Sequence, residues 1–185
     1  MILGCHQPNF VPHFPFFEKI AISDKFVILT HCQYSKNGYQ NRCNIGHDWI
    51  TNPVVKGKEH IRDKMYTNGQ SLLETNMAWI IAICKTLGID ENKIVMDRET
   101  NKTGTDRIVQ ICKDNGADTY LTNPDAFDKY LEIDKFLDAK VGIMAFKSSY
   151  RKSIFEMLME NGVLGCREIL EISVSKHRNK ELAKA

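Results

Sequence analysis

The chain has 185 residues, with 25 Lys and Arg against 23 Asp and Glu, a formal net charge of +2, and 43% hydrophobic and 26% charged residues. These ordinary globular values exclude collagen, a coiled coil and wholesale disorder, and so mild a charge gives nucleic acid no general electrostatic hold. The length suits a buried core without metal or disulfide staples.

The longest stretch free of Asp, Glu, Lys and Arg is residues 1–17, and it carries His6, Gln7, Asn9, His13 and three prolines. Such an interior cannot form a lipid-buried helix. It lacks a basic leading region as well, so it does not read as a secretory signal. Cysteines at 5, 32, 43, 84, 112 and 166 are scattered rather than set at framework spacings. Free thiols, a cytoplasmic location and no membrane partner are expected.

Met1-Ile-Leu-Gly-Cys5 is a short apolar run and predicts a buried first strand. A loop follows at His6-Gln-Pro-Asn-Phe10, because Pro8 biases Gln7 toward extended geometry. A helix is predicted over 14–22 and a second strand over Lys25–Thr30. Strand, helix and strand within thirty residues make a βαβ unit, so these strands should be parallel. Residues 33–55 are polar and aromatic, with Asn37-Gly38 as a tight-turn signal, and predict a hairpin-like excursion over the open end of the sheet. Residues 56–69 are a charged connection.

Ser71-Leu-Leu-Glu74 is a capping box, apolar residues recur at 73, 77, 80, 84 and 87, and Gly88 stands where a helix ends. A strand at 93–96, a helix at 105–115 and a strand at 118–122 follow. Asn123-Pro124 opens a short helix through Tyr130. Val141–Phe146 is the last strand. Ser153-x-x-Glu156 opens a last helix that ends near Asn161-Gly162. The alternation predicts one three-layer, Rossmann-like α/β domain over 1–172 with a mainly parallel sheet, and a polar, frayed tail over 173–185.

In open parallel sheets ligands bind beyond the carboxyl ends of the strands. Three polar segments follow strand ends here, 6–13, 30–42 and 122–125, and should converge on one rim. His6 is a proton shuttle or phosphate partner, or else the exposed histidine of a capped turn; Gln7 and Asn9 are hydrogen-bonding arms. Gln33, Lys36, Gln40, Asn41 and Arg42, interleaved with Tyr34 and Tyr39, suit a phosphate and a sugar or base edge, or else a solvated hairpin. Cys43-x3-His47 has chelate spacing, but no C-x-x-C pair accompanies it, and no metal is expected. Cys5 and Cys32 lie in no recognisable Cys-His frame for a nucleophile. Phosphate-loop, dinucleotide and G-x-S-x-G signatures are absent.

His6-Gln-Pro-Asn-Phe10, Phe16-Phe-x-Lys-Ile20, Ser23-Asp24, Phe26-Val, Gln33-Tyr-Ser-Lys36 and Gln40-Asn-Arg42 together resemble the opening signature of the WbqC-like family. The similarity continues in Leu87-Gly-Ile89, Gly104 with Arg107, Ile111-Cys112, Gly116-Ala-Asp-Thr-Tyr-Leu121, Tyr130-Leu131, Phe136 and Gly142-Ile143, over about the first 150 residues. Proteins of that family occur among bacterial surface-polysaccharide (O-antigen) genes. The resemblance implies transfer of glycine or another acyl unit onto the amino group of a nucleotide-linked deoxyamino sugar. It retains His6, Gln7, Asn9, Gln33, Asn41, Arg42 and Tyr120. Thr30-His31-Cys32 stands where the family carries acidic residues, a His-bearing middle segment is shortened to residues 61–70, and Thr122-Asn-Pro-Asp-Ala126 replaces a small-residue turn. The opening is also similar to that of nucleotidylyltransferases and class I aminoacyl-tRNA synthetases, with Pro12 where their glycine sits; that similarity implies amino-acid activation as an adenylate.

The expectation is therefore a transferase. His6 takes the proton of the attacking amine, Gln7, Asn9 and Asn41 hold the acceptor or polarise the acyl carbonyl, and Arg42 with Lys36 binds phosphate. Gln33, Gln40 and Tyr120 complete the substrate-binding set. The cofactor is left open between ATP and an activated acyl donor, whether an adenylate, a charged tRNA or a thioester. Two other classes stand beside it. One is a nucleic-acid-associated base-modifying protein using the Lys36–Arg42 cluster and the basic residues Lys176, Arg178, Lys180 and Lys184. The other is a non-catalytic ligand-binding member of the fold.

Overall fold

In the computed structural model of the protein, residues 1–57 and 59–182 are described, the side chains of 179–182 excepted. Five strands form one parallel sheet: β1 (Ile2–His6), β2 (Lys25–Ile28), β5 (Ile94–Met96), β6 (Thr119–Thr122) and β7 (Gly142–Ala145), in the order β5-β2-β1-β6-β7. A separate antiparallel pair, β3 (Arg42–Ile45) with β4 (Asp48–Thr51), stands outside it. The helices are α1 (Phe14–Ile22), α2 (Leu72–Leu87), α3 (Gly104–Asp114), α4 (Asp125–Lys129), α5 (Ile133–Asp138) and α6 (Ile154–Leu182).

The two-residue alternation of the strands sorts the core into two layers. Phe26 and Ile28 of β2 face one side, where they pack with Phe17 and Ile20 of α1, Ile80 and Cys84 of α2, and Met157 and Leu170 of α6. Leu3 and Cys5 of β1, Val27 of β2 and Tyr120 of β6 face the other, against Ile108 and Cys112 of α3 and Phe136 of α5. The chain is thus an α/β fold with helices on both faces of a parallel sheet, as the alternation predicted. Gly4 is required by close approach: a Cβ there would lie 2.5 Å from the Ser23 hydroxyl and 3.0 Å from the Phe26 ring.

Local signals act where expected. Ser71 Oγ accepts the Glu74 N–H at 3.3 Å, and Gly88 ends α2 at φ 72°. Ser153 and Glu156 form the reciprocal box, Glu156 N–H to Ser153 Oγ at 3.2 Å and Ser153 N–H to Glu156 Oε2 at 2.9 Å.

Three expectations need correction. The hairpin turns at Gly46-His47, not at Asn37-Gly38; Asn37 takes a left-handed φ of 70° in a separate turn that precedes β3. The helix after Ser153 does leave helical geometry at Gly162, with φ 63° and ψ 179°, but a second helical segment follows. Cys166 and Leu170 on that segment pack against α1 and α2. Residues 173–182 continue it rather than fray. Val174 packs beside Ile22, Leu121 and Phe146, the His177 ring meets Phe146 edge-on at 5.2 Å, and Arg178 pairs with Asp24 at 2.7 Å. Residues 183–185 of the expected tail lie outside the described residues. Helix α5 was not foreseen, since six residues are too few for a period to show.

Candidate functional site

The strand order reverses at β1, whose neighbours β2 and β6 continue into opposite halves of the sheet. A crevice opens at such a point beyond the carboxyl ends of the strands. A cleft of about 820 Å³ lies there, lined by Cys5 and His6 of β1 with Gln7 just after it, Leu29, His31, Cys32 and Gln33 after β2, and Tyr120 and Thr122 of β6 with Asn123 just after it. Lys19 of α1, His60, and Lys102, Thr103, Gly104 and Arg107 at the start of α3 complete the wall with Tyr130. Of the three polar segments expected to share a rim, the opening residues do: 6–7, 31–33 and 122–123.

His6 ends β1 as its side chain enters the cleft. Its Nδ1 lies 2.9 Å from the Gln7 carbonyl. A carbonyl only accepts, so Nδ1 carries the proton and Nε2 keeps a lone pair. Its ring meets Phe16 edge-on at 5.2 Å. Burial first, and then the charge of Lys19, push the imidazole down to about 4, so it is neutral at physiological pH.

A second group fixes the wall between β2 and α3. Asp97, just beyond β5, is buried and accepts the Thr30 N–H at 2.7 Å, the Thr30 hydroxyl at 2.9 Å and His31 Nδ1 at 3.1 Å. Arg107 of α3 donates to the other carboxylate oxygen, to the His31 carbonyl at 3.3 Å and toward Cys32 Sγ at 3.7 Å. Burial alone would raise the Asp97 carboxyl, but these hydrogen bonds outweigh it and hold it below the usual carboxylate range. Arg107 is thereby turned inward, with its Nε buried and unpartnered.

Cys5 Sγ lies 3.4 Å from the Tyr120 hydroxyl. Burial pushes both of these groups up, and it raises Cys32 as well, so both thiols of the cleft are protonated and poor nucleophiles at neutral pH. Thr103 does not cap α3 with its side chain, and with Gly104 it brings that helix's N-terminal end to the cleft. Among the described residues, no Asp or Glu lines the cleft. No three His, Cys, Asp or Glu among them are placed to hold a metal ion either, and none of their helices is long and apolar enough to cross a membrane.

Of the residues singled out in the sequence, His6, Gln7, Gln33 and Tyr120 line the cleft. Gln40 is buried behind it and donates from Nε2 to Gln7 Oε1. Asn41 is spent on the hairpin base, accepting the Tyr34 hydroxyl at 2.8 Å and donating to the Asn52 carbonyl at 3.0 Å. Arg42 stacks over Trp49 at 4.2 Å and donates to the Asn37 carbonyl. Lys36 is exposed, and Asn9 is half-buried; neither lines the cleft. The site thus divides: His6, Gln7 and Gln33 belong to the cleft, and Asn41 and Arg42 to the hairpin beside it. Lys19, Asp97 and Arg107 carry roles in the cleft that the site reading did not assign. Lys19 could have been found as the one cation three residues after Phe16, on a helix face otherwise apolar.

The WbqC-like protein family model matches residues 7–70 and 58–158. Among curated proteins, the chain is 28% identical over 164 residues to the uncharacterized protein Rv1507c of Mycobacterium tuberculosis, covering 65% of this chain and 71% of that protein. No solved structure matches the chain. With its opening signature on the cleft and the hairpin beside it, and with the family model spanning most of its length, the chain belongs to the WbqC-like protein family.

Proposed function

We propose that the protein transfers an acyl or aminoacyl unit, such as glycyl, to an amino group of a nucleotide-linked sugar. The observation that carries this reading is a neutral imidazole with a free Nε2 in a cleft lined by cations and by no carboxylate. A cationic wall suits the phosphates of a nucleotide. The N-terminal end of α3, with Lys102 and Arg107, replaces Arg42 and Lys36 as the phosphate-binding element. The donor is an activated acyl group, an adenylate, a charged tRNA or a thioester.

In the proposed step the sugar amine attacks the acyl carbon. A C–N bond forms, the bond from the acyl carbon to its leaving oxygen or sulfur breaks, and His6 Nε2 takes the amine proton and returns it to the leaving group. A base near 4 accelerates such a transfer at the low end of the usual range, about 10²-fold, unless the ligand raises it. Gln7 and Gln33 face the same space as hydrogen-bonding arms. The test is mass spectrometry of nucleotide amino sugars incubated with the protein, amino acid, ATP, tRNA and cell extract. A mass gain of one acyl unit that His6→Asn abolishes supports the reading; no gain with any donor contradicts it.

A second reading draws on the hairpin. Tyr39 and Trp49 are exposed, 5.6 Å apart, with Arg42 stacked on Trp49. Aromatic rings beside a guanidinium suit unpaired bases, so the acceptor amine could sit on a modified base of a polynucleotide. Binding to single-stranded DNA that weakens steeply with salt and disappears in Trp49→Ala favours that substrate over a free nucleotide sugar.

A further inference from the structure

The cleft contains a cation that the proposed chemistry does not use. Lys19 reaches from α1 to the end of β1, where its Nζ donates to the Cys5 carbonyl at 2.9 Å. It lies over the Tyr120 ring, 5.7 Å from the centroid. One of its three N–H donors is thus satisfied by backbone. No described carboxylate pairs with it, whereas the cleft's other inward-turned cation, Arg107, is matched by Asp97. Its nearest titratable neighbours are Cys5 and His6 on β1 and Tyr120 on β6, none of them an anion at neutral pH. A buried ammonium without a counter-charge is costly, so burial pulls the Lys19 pKa down, and an anion in the cleft would offset that cost.

We infer that the floor of the cleft is an anion subsite, in which Lys19 receives a phosphate or carboxylate group of the ligand. The inference rests on the cleft being the ligand site, and it adds the charge class of what lies deepest in it. It separates two anion-binding elements: the end of α3 with Lys102 at the mouth, and Lys19 beside His6. The second has a chemical consequence. The charge of Lys19 is, after burial, a cause of the low imidazole value. An anion resting on Lys19 cancels that field and lifts His6 toward the range in which it is an effective base. The anion that the cleft binds would therefore itself raise the base.

The test follows the His6 Cε1–H resonance through a pH titration of the whole protein, alone and with inorganic phosphate or acetate as the probe. In the wild type, at least one probe should raise the His6 value from about 4 by roughly one unit. Lys19→Met should raise His6 with no probe present and abolish the response to both probes. Lys102→Met should keep the response. A response to phosphate alone assigns the subsite to a phosphate group; a response to both assigns it to anions in general. A wild-type His6 that neither probe moves overturns the inference, as does a Lys19→Met protein that responds like the wild type. Should Lys19→Met not fold, the wild type still decides: phosphate or acetate should protect Lys19 from acetic anhydride, read by mass spectrometry, and unchanged labelling overturns the subsite. Loss of transfer with the anion response intact sinks the transferase reading alone, and transfer without the response sinks this inference alone.

Discussion

At the scale of single residues, His6 couples chemistry to stability. Its folded value of about 4 lies below the ordinary 6.5, so between those pH values the unfolded chain binds a proton that the folded chain refuses. Stability should therefore rise with pH from 4 to 6.5 and level off above, by on the order of 3 kcal/mol from this ring. Denaturant midpoints measured across that window should show the slope, and His6→Asn should flatten it; an equal slope in the variant would remove His6 as its source. Asp97 is the opposite case, a buried carboxylate serving Thr30, His31 and Arg107 at once. Asp97→Ala leaves Arg107 turned inward without its counter-charge and should cost about 3–5 kcal/mol, read by urea unfolding. A loss under 1 kcal/mol would mean that Arg107 simply swings to solvent. His6, Gln7 and Gln33 were legible because each follows a strand end. Asp97 and Arg107 were not, because their pairing depends on β5 lying beside β2, a contact across strands that no local pattern encodes.

At the scale of elements, one side chain of α2 ties the segment before the hairpin to the loop after β1, alongside the Gln40–Gln7 bond. Asn76 of α2 is fully buried, donates to the Pro8 carbonyl at 2.8 Å and to the Gln40 carbonyl at 2.7 Å, and accepts the Tyr66 hydroxyl at 2.7 Å. Asn76→Ala strands the Pro8 carbonyl, leaves the Tyr66 hydroxyl and the Gln40 carbonyl only their long 3.4 Å bond to each other, and should destabilise by about 2–4 kcal/mol. It should also loosen residues 7–10 and 39–41 in hydrogen exchange while leaving β6 and β7 protected; uniform loss of protection would make the loss global. Strands and capping boxes were readable because two-residue alternation and Ser-x-x-Glu spacing act locally. The hairpin turn was misplaced because Asn37-Gly38 and Gly46-His47 are both turn sequences. Only the pairing of Cys43 with Ile50 decides between them, and it places buried Cys43 in the core beside α1 and α2.

At the scale of the whole molecule, the topology brings the chemistry together. A parallel sheet whose order reverses at β1 opens a crevice between β1 and β6, and α1 and α3 flank it with Lys19, Lys102 and Arg107. The fold class was legible because strands and helices alternate along the chain. The length of the last helix was not, since its polar, basic sequence gives no apolar stripe after 172; the packing of half-buried Val174 and the Arg178–Asp24 pair come from tertiary contacts. A near-neutral chain thus concentrates positive charge in one cleft without showing it in composition.

On the proposed function, this cleft, and not the exposed hairpin, receives the nucleotide-linked ligand. Amide shift mapping of the labelled protein during titration with a nucleoside diphosphate amino sugar tests it most directly. Saturable shifts are expected at His6, Gln7, Gln33, Gly104, Arg107 and Asn123. Saturable shifts confined to Tyr39, Arg42 and Trp49, with the cleft unmoved, would contradict it.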